Sequence, residues 1–372
     1  MNEKSILCTY LRDHPETWEK DMKDKHIKVR KDDSGLAIFK YDIGCDFSDP
    51  IVCEARGIII DLNTLDVAGV GFDKFFNSHE EYAADIDWNT ARVQEKLDGS
   101  ICKLFWNKTK WQFATNGVLD ASEANCENPF CNNYLELIQH ADNYKDIKFE
   151  SLNKNKSYIF EICDPYTHTV KYPKTHLYHI GTRNNLTLEE TIEDIGIERP
   201  KEYPLHSLED CLKYVETLNK NEKEVNHEGF VVVDGKWNRI KVKNSLYLKM
   251  FYLTSGTLSK SKIIELLKTD DIDVRELLKD YPKYRSQFYW YLYQMASLES
   301  NIDDFIKYAR GVYRETDRDR KAVAAVIKNS KYSLFGFRAL ENTLNAKELL
   351  NGISESKYES LIKDYPVEEV LS

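Results

Sequence analysis

The sequence contains no apolar run near the ~20 residues that cross a bilayer, and charged side chains occupy the N-terminal stretch where a signal peptide is hydrophobic. Glycine and proline are scarce, at 15 and 9 of 372 residues, which excludes collagen-like and low-complexity classes. The 8 cysteines are scattered, so we expect reduced thiols rather than a disulfide framework. These features predict a soluble, cytoplasmic protein with no membrane partner, and nothing in the sequence indicates an obligate protein partner.

The sequence does contain enough apolar material for two domains with cores of their own, since 42% of its residues are hydrophobic. Its net charge of −10 argues against bulk, non-specific binding of nucleic acid. An acidic total still allows a local basic groove, because a local patch rather than the total attracts a polyanion.

The distribution of apolar residues indicates two regions of different character. Short β-branched or aromatic runs predict strands at 35–41, 56–61, 101–106, 110–115, 158–163, 229–233 and 238–243. Helical stretches are expected around 121–143 and 207–221. After residue 245, apolar residues recur at helical spacing, including the stretches 272–279 and 303–328. The sequence therefore predicts an α+β fold, with an antiparallel-sheet domain over residues 1–248 and an all-helical domain over residues 249–372.

A lysine in the turn between two predicted strands is the first candidate for chemistry. Lys96 precedes Asp98 and Gly99, between the runs 92–95 and 101–106. Such a turn presents its amine at the end of a sheet, where a substrate can approach. An ordinary hairpin turn uses the same Asp-Gly pair, so this spacing alone does not decide between the two interpretations.

Four charged residues on later strands strengthen the catalytic interpretation. Glu161 lies inside the apolar strand 158–163, where a carboxylate is costly unless it is paired or functional. Glu228 opens a Val-rich strand, and Lys241 and Lys243 share one face of its hairpin partner because strand side chains alternate with a period of two. The three residues of this hairpin are therefore expected near one sheet edge, although each alone is also compatible with a solvated strand.

The order of these residues resembles the motif series of the covalent nucleotidyltransferases, which comprise ATP-dependent ligases and RNA capping enzymes. The matching motifs are Lys96-x-Asp98-Gly99, Phe160-Glu161, Glu228-Gly229 and Lys241-Val-Lys243. Two upstream segments are similar to the signature of the T-even phage RNA ligase 1 family, namely Glu54-Ala-Arg-Gly57 and Lys74-Phe-Phe-Asn77. The resemblance covers about residues 35–250. No run of short strands follows the lysine pair, whereas DNA ligases and capping enzymes have an OB-fold there.

The resemblance implies an ATP-dependent RNA ligase in which a helical C-terminal domain helps to select the RNA. The nucleophilic lysine would take AMP from ATP to form lysyl-AMP, and the AMP would then pass to an RNA 5′-phosphate. A 3′-hydroxyl would displace the AMP and seal the strand. Broken tRNA is the substrate that the family suggests, and RNA repair is the corresponding process.

The same resemblance assigns roles to the matching residues. Lys96 is the nucleophile, and the full catalytic set is Lys96, Asp98, Lys241 and Lys243. The residues expected to bind ATP are Arg56, Lys74, Glu95, Glu161, Lys241 and Lys243. The chain departs from the family pattern at one turn, after the strand 110–115, where it carries Asn116 and the family carries a lysine.

Elementary chemistry is consistent with these roles. An amine must be partly deprotonated to attack, and nearby cations favour that form. The same cations would hold a triphosphate and stabilise charge during in-line attack. A hard divalent ion, Mg²⁺ with Mn²⁺ as the alternative, would bridge carboxylate, water and phosphate, with Glu228 and Glu161 as its protein partners.

Two alternative functions remain open. The first is another covalent nucleotidyltransferase, either a DNA ligase or a GTP-using capping guanylyltransferase. The second is a non-catalytic protein that binds RNA ends. In the C-terminal region, Arg310, Arg314, Arg318 and Lys321 have the spacing of one helical stripe, which is a candidate RNA contact or a solvated charged face.

Overall fold

The computed structural model of the protein describes residues 4–42, 44–221, 226–244, 247, 259–268, 284–341 and 344–364. The chain divides into two compact units, Met1–Met250 and Phe251–Ser372. The sequence places the boundary after residue 248, close to this division. The expected α+β class, with a helical C-terminal part, is confirmed.

The first unit combines strands with short helices. Its described helices are α1 (Ile6–Asp13), α2 (Trp18–Asp24), α3 (Pro50–Glu54), α4 (Tyr134–His140) and α5 (Leu208–Asn221). Its described strands are β1 (Ile27–Lys31), β2 (Leu36–Tyr41), β3 (Arg56–Asp61), β4 (Asp66–Gly69), β5 (Phe76–Asn77), β6 (Arg92–Glu95), β7 (Ser100–Asn107), β8 (Lys110–Thr115), β9 (Lys156–Cys163), β10 (His176–Asn184), β11 (Glu190–Thr191), β12 (Glu202–Tyr203), β13 (Gly229–Val233) and β14 (Arg239–Lys243).

The first sheet has the strand order β1-β2-β3-β4, and its pairs are antiparallel. The period-two alternation of side chains gives it two apolar faces. Ala37 and Phe39 pack in the cluster that includes residues of α1–α3, whereas Leu36 and Ile38 pack in the cluster that includes residues of β7 and β8. Burial on both faces holds the first residue of β3, Arg56, on a rigid element.

The second sheet has the order β11-β10-β9-β7-β8, and all its pairs are antiparallel. One face carries Leu104 and Phe160, which pack in a core with residues of α4. The other face carries Phe105, which packs against the first sheet. Ile101 lies opposite Glu161 in the β7–β9 register, so Glu161 shares the face of Ile101 and Phe105.

The third sheet has the order β12-β6-β13-β14-β5, and it is antiparallel except for the parallel pair β14–β5. Phe230, Ile240 and Val242 pack in one cluster with residues of α5. Lys241 and Lys243 alternate with these apolar residues and therefore lie on the opposite face of β14. The helix thus covers one face of the hairpin and leaves the lysine face for the site.

The described residues of the second unit form helices and short connections. The helices are α6 (Lys260–Lys268), α7 (Arg285–Glu315), α8 (Arg320–Ile327), α9 (Ser333–Glu341), α10 (Ala346–Asn351) and α11 (Glu355–Leu361). In the part of the chain that the structure describes, no helix is long and apolar enough to cross a membrane.

Two helix expectations differ from the structure. The stretch 121–143 is not one helix: a 3₁₀ turn covers Ala121–Glu123, and α4 begins only after Asn133, whose side chain accepts a hydrogen bond from the Glu136 N–H at 3.0 Å. The single helix expected over 303–328 is also wrong, because Arg318 has a φ of +65° between α7 and α8. The expected arginine stripe is therefore broken. The expected helix 272–279 lies outside the described residues.

Burial of His179 makes the first unit sensitive to acid. Its side chain is fully buried, and its Nε2 lies 2.9 Å from the Gly181 carbonyl oxygen. Burial is the main cause that lowers the pKa of His179 from 6.5 to about 4. Between these values the unfolded chain binds a proton that the folded chain does not, so stability falls as the pH drops through this window.

We therefore expect this one histidine to remove about 3 kcal/mol of stability between pH 7 and pH 4. Denaturant unfolding at several pH values measures the loss. In His179→Gln, which stays neutral, the free energy of unfolding should depend less on pH over the same range. The control His79→Gln changes an exposed histidine and should leave the pH dependence of the wild type. Equal pH dependence in the wild type and His179→Gln would contradict the expectation.

Candidate active site

Lys96 lies in the connection between β6 and β7, and its amine is directed toward the start of β13. Its backbone N–H donates to the Gly229 carbonyl at 2.8 Å, which joins this connection to the start of β13. Its Nζ donates to Glu228 Oε2 at 2.6 Å. The Lys96 side chain is 20% exposed and that of Glu228 is 5% exposed. The amine is therefore held inside the first unit and away from bulk solvent.

Two carboxylates face this amine. Burial is the largest influence on both, and it raises the pKa of Glu228 and raises the pKa of Glu161 to about 7. Lys96 acts in the opposite direction on both carboxylates, and Lys243, whose Nζ lies 4.0 Å from Glu228 Oε1, acts on Glu228 as well. The carboxylates belong to different sheets, because Glu161 is on β9 and Glu228 precedes β13.

Several cations lie close to Lys96. The pKa of Lys241 is lowered to about 7, mainly by burial and also by repulsion from Arg56, Lys74, Lys243 and Lys96. The Lys241 amine and the Arg56 guanidinium lie 4.7 and 5.1 Å from the centre of one ring, that of Phe75. The expected cationic residues of the first and third sheets therefore converge.

Lys74 approaches this cluster from the segment before β5. Its amine lies 4.6 Å from the Phe47 ring centre and 5.0 Å from the Phe76 ring centre. Burial lowers the pKa of Lys74, and Arg56 adds to that effect. The amine packs among aromatic rings and lies beside another cation. A bound anion would therefore stabilise its charged form.

Asp98 holds the lysine turn in place. Its Oδ1 accepts from the Tyr247 hydroxyl and its Oδ2 accepts from the Val170 N–H, both at 2.8 Å. Its own N–H donates to the Tyr172 hydroxyl at 2.9 Å. A Cβ at Gly99 would lie 2.6 Å from the Ile162 carbonyl oxygen, so the turn approaches β9 too closely for a larger residue. Asp98 therefore positions Lys96 through the backbone.

One feature of this site differs from the sequence analysis. The nearest charged partner of the Lys96 amine is the carboxylate of Glu228, whereas cations were expected as its neighbours. Burial raises the pKa of Cys163, and Glu95, the residue before Lys96, acts on that pKa together with Glu161 and Asp98. The expected role of Glu95 in binding ATP stays a prediction.

Sequence analysis missed Lys103 and Tyr172. Lys103 lies in the apolar run of β7 and is 1% exposed, so the reasoning that selected Glu161 could also have found it. The segment 164–171 directly follows the strand of Glu161, which already indicates a loop on the side of the site. His168 in this segment has its Nδ1 3.9 Å from Asp98 Oδ1, and Tyr172 accepts from the Asp98 N–H at 2.9 Å.

The residues present suit a hard divalent ion that keeps some of its own water. Among the described residues, no group of three or more His, Cys, Asp and Glu side chains is arranged to hold a metal by itself. Mg²⁺ is commonly held by one or two carboxylates together with substrate phosphates. Glu228 is buried and Glu161 is half-buried, and desolvation is the main cause that raises the pKa of both carboxylates, which fits that kind of binding.

A profile of the RNA ligase family, of the T4 RNA ligase 1 type, matches residues 54–252. The chain belongs to that family. The match includes every residue that was singled out for the site, from Arg56 to Lys243.

Individual relatives are distant. A bifunctional polynucleotide kinase/RNA ligase of Autographa californica nuclear polyhedrosis virus is 24% identical over 271 residues, which are 65% of this chain and 38% of that protein. The chain thus spans less than half the length of this relative. An archaeal ATP-dependent RNA ligase has a similar solved structure, with a TM-score of 0.49 and 13% identity over 74% of this chain and 78% of its own. A Naegleria gruberi RNA ligase has a TM-score of 0.31 and 14% identity over 43% of this chain and 51% of its own.

The geometry around Asp98 predicts that Asp98→Asn loosens the segment from Asp164 to Tyr172. The amide is neutral, so the hydrogen bonds with the Val170 N–H and the Tyr247 hydroxyl lose the charged partner that strengthens them, at a cost of about 1 kcal/mol. Limited proteolysis should therefore cut this segment faster in the variant than in the wild type. Asp33→Asn, at an exposed aspartate, is the matched control. Equal cleavage in both variants would show that Asp98 does not anchor the segment.

Proposed function

We propose that the protein is an ATP-dependent RNA ligase that joins a 5′-phosphate to a 3′-hydroxyl through lysyl-AMP and adenylylated RNA. The observation that carries this proposal is the contact between the Lys96 amine and Glu228, at 2.6 Å, inside a pocket that also holds Lys241 and Lys243. Membership of the RNA ligase family supports RNA as the substrate. A covalent enzyme needs a nucleophile that is shielded from water and fixed in direction, and this pocket supplies both.

In the first step, the Lys96 amine gives a proton to the Glu228 carboxylate that it contacts and attacks the α-phosphorus of ATP. The new N–P bond forms as the bond to the β-phosphate oxygen breaks, and pyrophosphate leaves. The Glu228 contact and the hydrogen bond from the Lys96 N–H to Gly229 aim the side chain into the pocket. Asp98 keeps the turn in register with β9 through its own partners. In-line attack requires such fixed geometry, because small displacements of the attacking atom are costly in rate.

The cations hold and neutralise the phosphates. Lys241 and Lys243 lie on the same face of β14, close to Glu228 and Lys96, and are suited to the α-phosphate. Arg56 and Lys74 approach from the first sheet and the segment before β5, and are suited to the rest of the triphosphate. Fixed positive groups that meet developing charge in a pocket with little water give the largest contribution to this kind of catalysis.

Glu228 and Glu161 are the residues that would hold Mg²⁺ or Mn²⁺. When bound, such an ion neutralises phosphate charge and orients the transferred group. The carboxylates also balance the lysine cluster in its absence, since both interact with Lys96. We assign them the metal-side role, and Glu161 the additional role of contacting the nucleotide.

We further propose that residues 249–372 help to select the RNA and that the activity serves RNA repair, with broken tRNA as the natural substrate. The division of the chain into two units supports a separate role for the helical part. The described contacts of Lys96 and Asp98 lie within residues 1–250, so we expect them to form without the second unit.

Lys96→Ala tests the nucleophile. Incubation with labelled ATP followed by denaturing electrophoresis should label the wild type and leave the variant unlabelled, while the variant keeps some sealing of chemically pre-adenylylated RNA. Lys110→Ala, at an exposed lysine of the β7–β8 hairpin, should be labelled normally. Persistent label on Lys96→Ala would show that another residue is the nucleophile.

The same assay separates the alternative functions. Label from GTP but not from ATP would indicate a capping guanylyltransferase, and sealing of DNA but not RNA would indicate a DNA ligase. Tight binding of RNA ends with no label from either nucleotide would indicate a non-catalytic binding protein. The proposal requires label from ATP together with sealing of RNA.

A chain that ends at residue 250 should retain lysyl-AMP formation better than it retains sealing of its preferred RNA. The reason is that the described contacts of Lys96 lie within the first unit, whereas RNA selection is assigned to the second. Adenylylation and sealing rates, measured on single-stranded, nicked duplex and stem-loop RNAs, check the expectation. Equal loss of both activities would show that the first unit needs the helices to fold.

A further inference from the structure

Lys103 is a buried cation that the proposed chemistry does not yet use. It lies in the middle of β7 and is 1% exposed. Its Nζ donates to the Thr115 carbonyl at 2.9 Å and contacts Asn116 Oδ1 at 3.5 Å. Both partners are neutral oxygens in the turn that follows β8. A buried ammonium without an anionic partner is costly, so its retention calls for an explanation.

The turn at Asn116 lies directly against the start of β3. A Cβ placed on Gly57, whose φ is +83°, would be 2.8 Å from the Asn116 Cα. Arg56 precedes that glycine and pairs with Lys40 in the β2–β3 ladder. The Lys40 amine in turn comes within 3.7 Å of the Cβ position of Gly117.

These contacts define a cation corner, which consists of Lys40, Arg56 and Lys103 around the Asn116 turn. Within the described part of the chain, none of the three forms an ion pair with a carboxylate, although 21 ion pairs are present elsewhere. Burial is the main cause that lowers the pKa of Lys103 to about 7, and Arg56 and Lys40 add repulsion. An anion that entered the corner would relieve this repulsion and restore the charge of Lys103.

We propose that Lys103, with Asn116, binds the β- and γ-phosphates of ATP. The inference rests on the proposed function, and it adds a binding residue that determines the preference for a triphosphate over a monophosphate. Arg56 connects the corner to the reacting end of the pocket, since it interacts with Lys241 on one side and Lys103 on the other.

The direction of the reaction favours the leaving phosphates as occupants of the corner. In-line displacement expels pyrophosphate on the side of the α-phosphorus that faces away from the attacking amine. Lys241 and Lys243 interact with Glu228 or Lys96 at the attacking end, whereas the cationic neighbours of Lys103 are Arg56 and Lys40. An RNA 5′-phosphate would enter after pyrophosphate has left and is the competing occupant.

Nucleotide binding to the full chain tests the proposal. Lys103→Met removes the charge but keeps an unbranched apolar stem, and calorimetry should show at least about a tenfold loss of ATP affinity, because a hydrogen bond to a charged group is lost. AMP, which lacks the two outer phosphates, should bind the variant as it binds the wild type. Lys110→Met removes an exposed lysine from the same hairpin and should change neither affinity. Unchanged ATP affinity in Lys103→Met would overturn the proposal, as would an equal loss for ATP and AMP.

Asn116→Ala keeps the test decisive if Lys103→Met does not fold, as judged by thermal unfolding. Asn116 is only partly buried, so its truncation should leave the fold intact while it lowers ATP affinity and not AMP affinity. Unchanged ATP affinity in this variant overturns the proposal.

Sealing of pre-adenylylated RNA, which needs no triphosphate, separates the two phosphate sources. We expect it to be unchanged in Lys103→Met, and its selective loss with normal ATP binding would assign the corner to RNA and overturn the proposal. The wild type distinguishes failure of the proposed function from failure of the role proposed for Lys103. If it neither binds ATP nor forms lysyl-AMP, the proposed function fails; if it does both and Lys103→Met matches it, only the role of Lys103 fails.

Discussion

The ion pair between Lys96 and Glu228 is the interaction on which the site depends. The two residues are 132 positions apart in the chain, and their side chains meet because the Lys96 N–H also bonds to Gly229 at the start of β13. A backbone hydrogen bond and a side-chain contact thus join the same two segments, the connection that carries Lys96 and the start of β13. A glutamate with 5% exposure needs a cation, and the lysine needs a fixed direction, so each satisfies the requirement of the other.

Around this pair the first unit contains further charged groups that its own residues do not fully neutralise. Lys241 and Lys103 have pKa values lowered to about 7, and Glu161 has one raised to about 7. Folding alone gives no reason to bury groups in this state, since each carries a cost that an apolar residue would avoid. Clusters of perturbed groups on rigid strands are typical of sites whose substrate supplies the missing charge. ATP would supply negative charge to the lysines, and a divalent cation would supply positive charge to the carboxylates.

Sequence patterns predicted what depends on local periodicity and failed where distant segments meet. Alternation selected the face shared by Lys241 and Lys243, and a charge inside an apolar strand selected Glu161. The hydrogen bond between Tyr247 and Asp98 depends on how loops and sheets pack, which no single segment encodes. The helix expected through 303–328 failed for a local reason, since the left-handed residue Arg318 separates α7 from α8 and only the backbone shows it.

The turn at Asn116 shows how a substitution in one motif can be balanced by a residue on a neighbouring strand. The family resemblance leads one to expect a lysine at this turn, and the chain has an amide there instead. The Lys103 amine reaches the same place from β7, 3.5 Å from Asn116 Oδ1. A positive charge can therefore serve the same ligand group from either position, because a phosphate responds to the location of the ammonium and not to the strand that carries it. The sequence motif alone shows that the lysine is absent at position 116. The packing of β7 and β8 nevertheless places the Lys103 amine beside this position.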